Sequence, residues 1–135
     1  MKMKFLLAIF AFAIPGVMFS QLKLTVEING LKSSKGQVLF QLLDENQKEL
    51  KGVKAEIKNN VCIIVVNDLK PGKYGFQYFH DENNNSTMDK SMLGIPKEGF
   101  GFSNNAKASF GPPSFEKWIF DLKSAVIMNC SPTYM

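Results

Sequence analysis

Short segments with an alternating or continuously apolar pattern constrain the fold of this chain most. Residues 22–28 (LKLTVEI) alternate apolar with polar side chains, which is the period of a half-buried β-strand. Residues 37–43 (QVLFQLL) predict a more buried strand, and residues 61–66 (VCIIVV) predict a central one because they are β-branched. Asn29-Gly30 and the polar residues 33–36 between the first two segments predict turns.

The segment L-x-P-G-x-Y at residues 69–74 is typical of the tyrosine corner of Greek-key sandwiches, and an alternating strand follows it at residues 75–80. It predicts that the Tyr74 hydroxyl closes onto backbone near the preceding turn. Weaker strands are expected at residues 53–58, 107–110, 117–122 and 125–130, with a polar connection at 44–52 and no convincing helical period. The sequence therefore predicts an all-β fold, a single Greek-key β-sandwich of Ig-like or transthyretin-like type with about seven strands.

The first twenty residues predict a secretory signal peptide. Lys2 and Lys4 precede an apolar run at residues 5–14, and Ser20 is a small residue at a plausible cleavage point before Gln21. The run is shorter than the roughly 20 residues that span a bilayer. An uncleaved anchor is the alternative. We expect a secreted or periplasmic protein, with no transmembrane segment after cleavage near Ser20/Gln21.

Cleavage would remove 20 of 135 residues and leave residues 21–135 as one β-sandwich domain of 115 residues, enough for a core. The net charge would fall from +4 to +2 because Lys2 and Lys4 leave. All sixteen basic residues are lysines, scattered along the chain. Nucleic-acid binding is not expected, because such proteins use arginine forks for phosphates and base edges.

Cys62 and Cys130 are the two cysteines of the chain. In an exported protein such a pair can form a disulfide. Each also lies in an apolar strand-like run, where a buried free thiol is equally at home. There is no C-x-x-C motif, so redox catalysis is not indicated.

The stretch from 81 to 105 has no strand or helix period, and loops longer than about 12–15 residues are usually functional or disordered. Apolar residues within it favour an ordered loop. Its beginning has the spacing D-x-N-x-N-x-x-x-D, as in the first part of an EF-hand calcium loop, where every second residue turns an oxygen toward a hard cation. The candidate calcium ligands are Asp81, Asn83, Asn85, Thr87 and Asp89.

Two departures weaken this calcium pattern. Ser86 replaces the glycine of the sharp turn, and Met92 stands where a bidentate glutamate is usual, although Glu98 could supply a carboxylate from further along. An affinity of about 10⁻⁴–10⁻³ M is expected for such a site. The alternative is a metal-free turn held by its own Asx hydrogen bonds.

Other side chains of this region form a candidate ligand surface: His80, Glu98, Phe100, Phe102 and Trp118. The aromatic residues could bind a sugar or a peptide, or they could cap the end of the sandwich. His80 is the only histidine, and with no evident nucleophile beside it a structural role is favoured over catalysis.

The chain resembles a secreted bacterial family known as domain of unknown function 2141. The resemblance is carried by LKPGKY at 69–74, HDENNN at 80–85, Asp89, GIPKEGFGFSNNA at 94–106 and FGPPSF at 110–115. It implies a signal peptide and an all-β sandwich, and it implies no activity. The asparagine loop also looks like calcium-binding D-x-N-x-N-G loops in bacterial surface adhesins.

We therefore expect an exported non-enzymatic module that acts in binding or in the cell envelope, with a calcium-stabilised loop as its candidate cofactor site. Its partner would be an extracellular or periplasmic protein or glycan. A carrier or sensor of a small ligand, a sugar or a peptide, is the second hypothesis. A transthyretin-like hydrolase is the third, and the single histidine and lack of arginine disfavour it.

Overall fold

Two β-sheets packed face to face make up the protein in a computed structural model that describes residues 21–135. The predicted signal peptide, residues 1–20, lies outside the described residues. The elements are β1 (Leu22–Ile28), β2 (Gln37–Asp44), β3 (Glu49–Ala55), β4 (Cys62–Leu69), β5 (Gly72–Asp81), β6 (Phe100–Phe102), a 3₁₀ turn (Ser103–Asn105), α1 (Phe115–Trp118), β7 (Phe120–Leu122) and β8 (Val126–Cys130). The predicted all-β sandwich is confirmed, with eight strands. Residues 21–135 contain both sheets and the core between them, so we expect this part to fold alone.

The three-stranded sheet has the order β4-β1-β8, with β1 antiparallel to β4 and parallel to β8. Leu24, Val26 and Ile28 of β1 point into the core and are fully buried, as their alternation predicts. Cys62 and Cys130 are both in register with Ile28, one on each neighbouring strand. They are therefore about 10 Å apart, two strand spacings, which is too far for a disulfide. Both are buried free thiols.

The second sheet has the order β3-β2-β5-β6, and β7 pairs with the beginning of β5. Phe40, Phe76 and Tyr78 of this sheet face the three-stranded sheet and are buried, with the Phe40 and Phe76 rings 5.2 Å apart. The Tyr74 hydroxyl donates a 2.6 Å hydrogen bond to the carbonyl oxygen of Lys70, so the predicted tyrosine corner is confirmed. None of the helices within residues 21–135 is long and apolar enough to cross a membrane.

Five local predictions were wrong. The run at residues 61–66 was expected to be a central strand, but β4 lies at an edge of the three-stranded sheet, and its Ile63 and Val65 are exposed on the outer face. Residues 107–110 form no strand, and Phe110 at φ +55° and Gly111 at φ +143° depart from the extended backbone of a regular strand. A strand, β6, lies instead inside the stretch predicted to be aperiodic, and three residues are too few to show a period. The one-turn helix α1 replaces the start of the strand expected at 117–122. Strand β3 begins at Glu49, inside the predicted polar connection, because its exposed edge position tolerates polar residues.

Candidate functional site

A groove of about 1040 Å³ runs across the face of the second sheet that points away from the core. Its floor consists of residues from β2, β5 and β6 that alternate with the core-facing ones: Leu39, Gln41, Gln77, Phe79, Phe100 and Phe102. Strand β2 is apolar on both faces, so this sheet cannot expose its second face to water without cost.

Helix α1 covers one end of the same face, and the groove begins where this cover ends. Leu43, Phe100, Phe102 and Trp118 form a second buried cluster there, with the Phe102 and Trp118 rings 5.2 Å apart. The Trp118 indole N–H donates to the carbonyl oxygen of Pro113 at 3.3 Å, which anchors α1 over the sheet. Helix α1 therefore closes one end of an apolar surface whose other end stays open.

Two loops form the walls of the groove, residues 88–96 and residues 108–112. Leu93, Ile95 and Phe110 lie on these walls and are exposed. Charged side chains reach the lining at Glu49, Lys54 and Lys90, on and near β3.

Two glutamine side chains place polar groups in the otherwise apolar floor. The Gln77 amide nitrogen donates a 2.6 Å hydrogen bond to the Gln41 side-chain oxygen. The side-chain NH₂ group of Gln41 remains a free donor, and the side-chain oxygen of Gln77 beside it remains a free acceptor. This arrangement can recognise a group that itself carries a donor and an acceptor, such as an amide.

His80 lies at the end of β5 and does not line the groove. It is fully buried, and its Nε2–H donates to the Lys35 carbonyl oxygen at 2.7 Å. That bond places a hydrogen on Nε2 and leaves Nδ1 to accept from the Tyr134 hydroxyl at 2.9 Å. The Tyr134 oxygen in turn accepts from the Lys32 backbone N–H at 2.8 Å. Burial raises the pKa of the Tyr134 phenol, so it stays a donor.

The candidate calcium loop begins at a buried carboxylate. Asp81 accepts hydrogen bonds from the backbone N–H groups of Asn85 at 3.2 Å and Ser86 at 2.8 Å, and from the Gln37 side chain at 3.1 Å. Ser86 has φ +61°, so it adopts the left-handed conformation that a glycine would take at this position. The tight turn therefore forms without the glycine.

The other predicted ligands converge on Asp89. Its carboxylate accepts from the side-chain amides of Asn83 at 2.6 Å and Asn85 at 2.9 Å, while the Thr87 backbone N–H donates to the Asn85 side-chain oxygen at 3.0 Å. Glu98 joins them from the end of the loop, because its buried carboxylate accepts from the Asp89 backbone N–H at 3.0 Å. Within residues 21–135 no three His, Cys, Asp or Glu side chains are grouped to hold a metal ion. A cation here would therefore need oxygens from the Asn side chains and the Thr87 carbonyl group.

Of the predicted ligand surface, only Phe100 and Phe102 line the groove. Glu98 is 3% exposed and bonded inside the loop, and Trp118 packs behind Phe102. Sequence reasoning missed the outward residues of β2 and β5. The signal was present in residues 37–43, because QVLFQLL does not alternate and so predicts an apolar second face.

No curated protein matches this chain significantly. A family model does match it, over residues 26–128, and that span includes most of both sheets, the asparagine loop and both groove walls. The chain therefore belongs to the family described as "Uncharacterized protein conserved in bacteria (DUF2141)".

Proposed function

We propose that this protein is an exported, non-enzymatic binding module that holds a small apolar ligand in the groove. The observation that supports this best is the groove itself. Small-molecule sites are apolar clefts of about 300–1,000 Å³ with a few convergent polar groups, and this groove has that size and one glutamine pair.

The chemistry of the floor favours a peptide over a sugar. A sugar presents hydroxyl groups in every direction and would leave most of them unpaired against aliphatic and phenylalanine side chains. An apolar peptide instead offers amide groups that match the free donor of Gln41 and the free acceptor of Gln77, and apolar side chains that fit beside Leu39 and Phe79.

The groove proposal is tested by titrating ¹⁵N-labelled residues 21–135 with blocked tripeptide amides of leucine, isoleucine and phenylalanine. We expect saturable shifts of the Gln41 and Gln77 side-chain amide signals. Phe79→Ser should weaken binding about tenfold or more, because a buried phenylalanine contributes about 1.5–3 kcal/mol. Ile63→Ser is the matched control, since Ile63 is exposed on the outer face of the other sheet. Equal affinity in Phe79→Ser, or no saturable shift with any peptide, would contradict the proposal.

A calcium ion is proposed to order the loop that forms one wall. Asp81, Asn83, Asn85, Thr87 and Asp89 would hold it. Support comes from electrostatics: Asp81 and Glu98 are buried on the same loop as Asp89, and none of the three has a basic side chain within salt-bridge distance in residues 21–135. A divalent cation would offset that charge. The chemistry also fits, because rotation of the Asn83 and Asn85 amides would present oxygen in place of nitrogen.

Thermal unfolding tests the calcium proposal. With a dissociation constant of about 10⁻³ M, raising calcium from zero (EDTA) to about 10 mM should stabilise the fold by ~1.4 kcal/mol and raise the midpoint by several degrees. Asp89→Asn should abolish the rise, and Asp121→Asn, on an exposed strand position, should keep it. An unchanged midpoint across the titration would leave the hydrogen-bonded Asx turn as the correct account of the loop.

A further inference from the structure

Four large apolar side chains at the tips of the two groove walls are exposed to solvent. Met92 is 105% exposed, Leu93 86% and Ile95 46%, and on the second wall Phe110 is 111% exposed. Met92 and Phe110 are therefore fully exposed to solvent. Such a concentration of exposed apolar groups marks an interaction surface.

The backbone holds Phe110 in this outward position at a cost. Its φ of +55° lies in the left-handed region, which disfavours a residue with a bulky side chain. The next residue, Gly111, has φ +143°, and Pro112 follows it. Strain of this kind persists at functional positions, where the surrounding structure fixes an otherwise unfavourable conformation.

Within the two tip segments, residues 90–97 and 104–115, every charged residue is a lysine. Lys90 and Lys97 flank the first tip, Lys107 precedes the second, and all three are exposed. Residues 90–97 and 104–115 contain no aspartate or glutamate. The two tip segments are therefore cationic, which complements an anionic partner.

We propose that the two loop tips insert into the surface of an anionic lipid bilayer. Apolar side chains that project from two separate loops suit a fluid hydrocarbon layer, which needs no matching shape, whereas a protein partner requires a complementary surface. The flanking lysines would lie at the level of the lipid phosphates. Binding of this type combines buried apolar area with attraction to anionic lipids.

This partner goes beyond the proposed peptide groove and does not depend on it, because the inserting side chains are at the rim and the glutamine pair is in the floor. Insertion would place the open groove at the membrane interface. A peptide-binding failure would leave the membrane proposal standing, and the reverse also holds.

Co-sedimentation of residues 21–135 with vesicles tests the proposal. We expect binding to phosphatidylcholine vesicles that contain about 30% phosphatidylglycerol, and at least tenfold weaker binding to phosphatidylcholine alone. Leu93→Ser with Phe110→Ser should reduce partitioning into anionic vesicles at least about 100-fold, since each side chain contributes roughly tenfold or more. Ile63→Ser with Ile127→Ser, on the exposed face of the three-stranded sheet, is the matched control and should bind like the wild type.

The lysines are tested in the same assay. Lys90→Gln, Lys97→Gln and Lys107→Gln together should weaken anionic-vesicle binding about 100-fold, at roughly fivefold each. Lys23→Gln, Lys58→Gln and Lys123→Gln together change the net charge equally at exposed positions outside the groove lining and should have a much smaller effect at about 0.1 M salt.

Insertion itself is read by a fluorescent side chain. Phe110→Trp should show a blue-shifted emission with vesicles and quenching by lipids brominated in their acyl chains, above the constant background of buried Trp118. Three results would overturn the proposal: no binding to anionic vesicles, binding that the serine variant leaves unchanged, or a dimer in ultracentrifugation that the serine variant dissociates. The last result would assign these tips to a second copy of the chain.

Discussion

Replacing Tyr134 by phenylalanine removes a single oxygen that joins three parts of the fold. That oxygen donates to Nδ1 of His80 and accepts from the backbone N–H of Lys32. The adjacent Thr133 forms a two-hydrogen-bond bridge with Phe100, so this C-terminal segment also holds the strand that follows the long loop. The ring of Tyr134 packs against Gly99, where a Cβ would collide with it, and phenylalanine keeps that contact.

The cost of Tyr134→Phe follows from the burial of the groups it leaves behind. His80 is fully buried, so its Nδ1 loses its partner without access to water, at a cost of about 1–3 kcal/mol. The Lys32 N–H is exposed and can donate to water instead, so the loss of its hydrogen bond to Tyr134 adds only about 0.5–1.5 kcal/mol. We expect the free energy of unfolding to fall by about 2–4 kcal/mol.

Urea unfolding of residues 21–135 measures this loss, and Tyr74→Phe provides the matched control. Tyr74 makes one hydrogen bond, to the carbonyl oxygen of Lys70, so its loss should cost only about 0.5–1.5 kcal/mol. The reasoning would be refuted if Tyr134→Phe cost no more than Tyr74→Phe. It would also be refuted if the cost stayed the same in a His80→Leu background, because the coupling must come from the imidazole.

Two further predictions concern the core. Gly101→Ala would drive a Cβ into the phenol of Tyr78 and should cost about 1–3 kcal/mol, whereas Gly52→Ala, on the exposed edge strand, should change stability by less than about 0.5 kcal/mol; urea unfolding distinguishes them. Burial raises the pKa of the Cys62 and Cys130 thiols from 9.0 to about 11. Below pH 9 both thiols are protonated in the folded and the unfolded chain, so they leave stability unchanged. Between pH 9 and 11 only the unfolded chain releases these protons, so stability should fall by up to about 2–3 kcal/mol per thiol, and a Cys62→Ala, Cys130→Ala variant should show a shallower decline in alkaline unfolding curves.

The sequence predicts the elements whose pattern is long enough to be periodic. Residues 22–28 alternate over seven positions and form β1 with the expected buried face. The motif at 69–74 also carries its own local hydrogen bond, and Tyr74 makes it. These features depend on neighbours in sequence, so the sequence alone is sufficient to predict them.

The remaining elements depend on contacts between distant segments. Strand β6 has three residues, and it is a strand only because β5 lies beside it. The parallel pairing of β8 with β1 joins the two ends of the domain, and no local pattern predicts it. The Asx turns of residues 82–99 can be predicted from the sequence. The hydrogen bond from the Asp89 backbone N–H to the Glu98 carboxylate cannot, because it forms only when the chain returns to β6.

The groove exists because the cover over the apolar outer face of the second sheet is incomplete, and this can be tested within a single strand. Leu43 and Leu39 both point away from the core on β2, but Leu43 is buried under the Trp118 cluster while Leu39 is half-buried in the open groove. Leu43→Ala should therefore cost about 2–4 kcal/mol in urea unfolding, and Leu39→Ala less than about 1.5 kcal/mol. Equal losses would mean that the floor at Leu39 is packed as tightly as the covered end. In that case the groove would be part of the core and could not be a ligand site.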